Sequence, residues 1–176
     1  MRLLGAFLIA CFLLPSFALA RQAPKSADWR DWQFLLGDWT GEASGQPGKG
    51  SGGFTFRLEL EGKLLVRRSF SDFPAAKDKP AIHHEDLLYV YREPGAREER
   101  AIYFDNEGHV IHYAIEISPD GKTWTFISPV ESSAPRYRLT YSRVDDNQVG
   151  IKFEIAPPGK PDAFATHVAS ASHRKR

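Results

Sequence analysis

The chain alternates apolar and polar residues in about ten short segments, and nowhere does it offer a helix long enough to join parallel strands. "GFTFRLEL" places Phe54, Phe56, Leu58 and Leu60 on one face and polar partners on the other. The same period of two recurs in "GDWTGEAS", "KLLVRRSFSDF", "IHHEDLLYVYR", "RAIYFD", "HVIHYAIEI", "KTWTFIS", "YRLTYSRV", "VGIKFEI" and "AFATHVASASH". Turn formers separate them: Glu61-Gly62, Asn106-Glu107-Gly108, Pro119-Asp120-Gly121, Asp145-Asp146-Asn147 and Pro157-Pro158-Gly159. Short connections make sequence neighbours pair as antiparallel hairpins. An open meander of this length carries two bare edges, and closing it removes both. The expected fold is therefore all-β, an antiparallel up-and-down barrel of about ten strands. A two-sheet sandwich is the alternative arrangement of the same segments.

The first twenty residues stand apart. Arg2 precedes an uninterrupted apolar run that ends Ala18-Leu19-Ala20, the small-x-small pattern of a cleaved signal peptide. Cleavage there leaves residues 21–176 as one domain and predicts a periplasmic or secreted protein with no stable membrane insertion. Leu8-Ile9-Ala10-Cys11 has the look of a lipidation site but follows too short an apolar region. Cys11 is the only cysteine, so the mature chain has no disulfide and no thiol nucleophile. Cleavage also takes one of the 23 basic residues, Arg2, and so balances the 22 acidic ones. That balance supplies no argument for a nucleic-acid partner, and the terminal "HRKR" reads as a solvated strand end.

Before the first strand, Ser26 can cap a short helix on which Trp29, Trp32, Leu35 and Leu36 recur at helical spacing until Gly37 ends it. Gly37-Asp38-Trp39 then opens the first strand, with Trp39 directed inward and Gly41 on the same face. This helix and Gly-x-Trp resemble the lipocalin-like (calycin) superfamily, in which the helix closes one end of a barrel and the tryptophan plugs its floor. The chain is more closely similar to a bacterial lipocalin-like family of unknown function. The similarity rests on Leu35 to Glu42, the "YFD.EG" hairpin at Tyr103 to Gly108, Asp120 to Trp124, and the basic end at His173 to Arg174. A more distant resemblance is to nitrobindin-type barrels, which implies haem as an alternative cofactor with His167 as its ligand, among Ala163, Ala165, Ala169 and Ala171.

Alternation also assigns the inner faces. Ile111, Tyr113 and Ile115 point in, as do Tyr137, Leu139 and Tyr141. On the third strand the apolar parity is Leu64, Val66 and Phe70, which brings Arg68 inside with them. His84 and Asp86 share a face of the fourth strand, one pleat apart. A buried arginine needs a partner, so Arg68, His84 and Asp86 are expected to form one polar cluster across that hairpin. Arg68, His84, Asp86, Tyr113 and Trp39 are thus the candidate ligand-binding residues. Arg68 would hold an anionic group, unless a bulge turns it outward. No histidine pair has local metal-ligand geometry: His83/His84 and His109/His112 fall on opposite faces. No serine-hydrolase elbow, phosphate loop, dinucleotide fingerprint or zinc-protease helix is present in the sequence.

The leading expectation is a non-enzymatic barrel binding a small apolar or amphipathic molecule. Haem binding, a hydrolase or isomerase using His84 and Asp86, and an envelope interaction module using Tyr89 and Tyr91 are the alternatives. A filled interior would end the first two.

Overall fold

The computed structural model describes residues 28–45 and 48–175. The expected signal segment, Cys11 and the expected Ser26 cap lie outside the described residues. Ten strands follow one another: β1 (Gly37–Gly45), β2 (Gly50–Glu59), β3 (Leu64–Phe73), β4 (Ile82–Tyr91), β5 (Arg100–Asp105), β6 (Val110–Ile117), β7 (Thr123–Ile127), β8 (Arg136–Arg143), β9 (Gln148–Ala156) and β10 (Ala165–Arg174). Each pairs antiparallel with its neighbours in sequence, and β10 returns to pair with β1, from Trp39↔Arg174 to Gly45↔Val168. The barrel is closed, so every strand has two hydrogen-bonded neighbours and no edge is left open. Among the described residues, no helix is long and apolar enough to cross a membrane.

One end of the barrel is plugged by aromatic side chains. The expected helix is reduced to a 3₁₀ turn, Arg30–Trp32, which needs no side-chain cap. It drops Trp32 and Leu35, both fully buried, into the barrel beside Phe56 and Phe126. All four tryptophans of the chain sit at this end, and each indole N–H is satisfied. Trp29 donates to the Gly62 carbonyl at 2.6 Å, Trp32 to Glu99 at 2.7 Å, Trp39 to the Leu35 carbonyl at 2.9 Å and Trp124 to the Asp31 carbonyl at 3.0 Å. A large aromatic can be buried here because its polar edge has a partner. Arg174 completes the plug. Its guanidinium donates to the carbonyls of Phe34 and Leu36 and lies 4.4 Å from the Trp39 ring. Arg174 is thus a clamp across the closed end rather than part of a solvated tail.

The glycines around Trp39 now have separate reasons. Gly37 has φ +115°, a region that side-chain-bearing residues rarely adopt. Gly41 lies where β1 and β10 approach so closely that a Cβ would stand 2.1 Å from the Ala171 carbonyl oxygen. Space for the indole is not what requires Gly41.

Two face assignments need correction. On β3 the inward residues are Leu65, Arg67, Ser69, Ser71 and Phe73, because Arg67 pairs across β2 with the inward Phe56. Arg68 pairs with Thr55 and projects outward. The expected parity failed because the outer face of β3 is apolar too: Val66 is buried on the outer wall, between its cross-strand neighbours Arg57 and Tyr89. At the end of β2, Leu58 keeps the inward parity opposite Leu65 but is 39% exposed, and Leu60 leaves the strand because Leu60 and Glu61 form the left-handed turn into β3.

A candidate ligand-binding cup

The plug fills only half of the barrel. Towards the other end, where the loops β1–β2, β3–β4, β5–β6, β7–β8 and β9–β10 lie, the inner faces enclose a cavity of about 570 Å³. This is the size range of small-molecule sites. Phe54 and Tyr141 meet edge to face at its base, and Ile151, Phe153 and Ile155 supply an apolar wall. Ser170 and Ser172 of β10 also line it. A bulge between Thr166 and Val168 shifts the register of β10, so Ala169 and Ala171 face outward and the serines face in. The small-residue face expected around His167 is therefore split: Ala169 and Ala171 are outside, Ala165 pairs with the cavity-lining Ile155, and Ala163 precedes the strand.

Opposite the apolar wall is a buried polar cluster drawn from four strands. The Arg67 guanidinium on β3 donates to the Asp86 carboxylate on β4 and to the Tyr141 hydroxyl on β8. Arg67 and Asp86 are 4% and 8% exposed. A charge held this deep requires such a partner. Arg67 Nε and the Tyr113 hydroxyl on β6 are both buried, with no hydrogen-bond partner among the described residues. Burial pushes the phenols of Tyr103, Tyr113 and Tyr141 above the ordinary tyrosine range. All three therefore stay protonated and available as donors.

The β5–β6 hairpin forms the mouth on this side. One Asp105 oxygen accepts the backbone N–H groups of Glu107 at 3.0 Å and His109 at 2.8 Å, which fastens the turn. The other pairs with the His109 ring at 2.8 Å and accepts from the Tyr103 hydroxyl at 3.2 Å. Burial pushes the Asp105 carboxyl up, but the hydrogen bonds from His109 and Tyr103 outweigh it and hold it below the usual carboxylate value. His84 bridges the two groups of side chains. Its Nδ1 meets Glu107 at 3.0 Å, and its Nε2 lies 3.0 Å from the Tyr103 hydroxyl and 3.6 Å from Asp86. Both ring nitrogens of His84 are thus engaged within the cluster.

The sequence-derived candidates thus divide. His84, Asp86 and Tyr113 line the cavity. Arg68 does not: its side chain is 61% exposed on the outer wall, 3.8 Å from Glu59, and no cluster with His84 forms. Arg67 occupies the role assigned to its neighbour. Trp39 is sealed in the floor, stacked on Phe54, and does not line the cavity. His167 sits at the β10 bulge, edge-on to Phe153 with ring centroids 6.1 Å apart. This setting fits haem poorly. The imidazole comes from the rim, and four carboxylates against two fixed cations line the space that two anionic propionates would share. Sequence reasoning missed Arg67, Tyr103, Asp105, Glu107 and His109. Reading β3 back from Phe73 in steps of two would have found Arg67, and the "YFD.EG" hairpin already contains three of the others.

No protein-family model matches the chain, and no curated protein matches it. Solved structures share the barrel architecture. A de novo designed fluorescence-activating β-barrel is 12% identical with a TM-score of 0.41, over 81% of this chain and 95% of that one. The S-type phycobiliprotein lyase CPES from Guillardia theta is 10% identical with a TM-score of 0.46, over 82% of this chain and 90% of that one. Neither likeness bears on what this chain binds.

Proposed function

We propose that the protein is an exported, non-enzymatic barrel of lipocalin-like type that holds a small amphipathic molecule in its cup. The observation that carries this reading is the cavity itself. It is about 570 Å³, apolar on one wall, with a buried polar cluster on the other and an open mouth. A domain that needed only stability would gain by filling such a space, because cavities cost packing energy. Export rests on the apolar amino-terminal run and its Ala-Leu-Ala ending.

Two measurements test the reading. N-phenyl-1-naphthylamine, a neutral fluorophore that brightens in apolar surroundings, should bind saturably, one molecule per barrel. Leu139→Trp, which narrows the cavity from the apolar wall, should abolish that signal. An unchanged signal in the variant, or no saturable binding at all, refutes the cup. Intact-mass measurement of the protein from its native envelope should show Arg21 as the first residue; a retained Met1 refutes export by cleavage.

A further inference from the structure

The charges at the mouth select the kind of amphiphile, an inference that rests on the cup being a binding site. Arg67 is the deepest cation of the cavity, and Asp86 already matches it. An anionic ligand would have to displace Asp86 to reach it, leaving a carboxylate buried without its partner. The charges that remain unmatched are those of Asp105 and Glu107. Their nearest side-chain partners are His109, His84 and the Tyr103 hydroxyl, none of which is a fixed cation. On the rest of the lining, Glu42 and Lys79 are opposite in sign. The lining therefore carries an excess of negative charge concentrated on the β5–β6 hairpin. A low-dielectric cup focuses the field of such charges at its opening. Farther in, Tyr113 lines the cavity and buries a hydroxyl that has nothing to donate to.

We propose that the cup takes an amphiphile with a cationic amine end. The ammonium lies at the mouth beside Asp105 and Glu107, and the apolar body runs along Ile151, Phe153 and Ile155. The Tyr113 hydroxyl donates to an acceptor atom where the body carries one. This reverses the preference for an anionic group that an inward Arg68 would have implied.

Decylamine, decanol and decanoate share one chain and differ only in the head. Each competes against N-phenyl-1-naphthylamine at pH 8, above the ordinary imidazole range, and at low salt. Glu107, exposed at the watery mouth, attracts the ammonium and repels the carboxylate by about 1 kcal/mol each, and the buried Asp105 adds to the same field, so decylamine should bind at least ~10-fold more tightly than decanoate. Decanol should fall between them. Glu107→Gln removes one charge at an exposed position and should shrink the gap several-fold. Asp105→Asn is unsuitable, because Asp105 also fastens the turn. Raising the salt should narrow the gap. Decanoate binding as tightly as decylamine, or a gap indifferent to Glu107→Gln, overturns the charge preference while leaving the cup intact. Failure of the neutral fluorophore to bind overturns both readings.

Discussion

Replacing Arg67 with Met tests how the interior is held together. The side chains of Arg67 and Asp86 are 5% and 6% exposed, so water cannot solvate either charge once its partner is gone. Methionine fills a similar volume, and the change therefore removes charge more than packing. It leaves the Asp86 carboxylate with His84, 3.6 Å away, as its remaining charged neighbour among the described residues, and leaves the Tyr141 hydroxyl without its donor. Breaking a buried pair from one side costs about 3–5 kcal/mol. For a domain of this size that lowers the melting temperature by about 10 °C. Replacing both partners is different in kind. Arg67→Met with Asp86→Leu takes away both desolvated charges and also the unsatisfied Arg67 Nε, so the double variant should recover to within about 1 kcal/mol of the parent. Urea unfolding followed by tryptophan fluorescence reads all three proteins, since the four indoles report on the closed end. A single variant within about 1 kcal/mol of the parent would mean that this pair is not desolvated. A double variant as unstable as the single one would place the cost in packing and refute the electrostatic argument.

Trp39→Ala should cost about 3–5 kcal/mol in the same assay, because it removes a buried ring stacked on Phe54 and clamped by Arg174; a melting temperature near the parent's would show that Trp39 does not close the floor. Arg68→Met should change stability by less than about 0.5 kcal/mol and leave fluorophore binding untouched, since its ion pair with Glu59 is exposed. Glu154 and Asp105 titrate below their ordinary values, the former chiefly through the hydrogen bond from Arg138 and the latter through His109 and Tyr103 against the opposing effect of burial. Depressed carboxylates contribute stability that is complete above the unfolded range near pH 4 and is lost as the pH falls through their folded values. Unfolding free energy measured from pH 7 to pH 2 should therefore drop below about pH 4, and less steeply in Glu154→Gln. Haemin titration should yield no Soret band that depends on His167, and a band lost in His167→Ala would restore the haem reading.

What the sequence could determine is what depends on neighbours in the chain. Period-two alternation located all ten strands within a few residues, because each strand must bury one face and solvate the other. Turn chemistry between them fixed the hairpins, and the cost of open edges pointed to closure. Tyr113 was legible as inward because β6 has one clearly apolar parity, and His84 and Asp86 were legible as sharing one face of β4. β3 has two. Leu64, Val66 and Phe70 compete with Leu65 and Phe73, and only the register against Phe56 decides that Arg67, not Arg68, enters the barrel. The register shift at His167 is likewise invisible locally, yet it turns Ala169 and Ala171 out and Ser170 and Ser172 in. The polar cluster lies furthest from sequence reasoning. Arg67 and Tyr141 are 74 positions apart, and Arg174 reaches Leu36 across 138. A guanidinium can enter the interior only where another strand brings a carboxylate to meet it, and which strands meet across a barrel is settled by its closure as a whole.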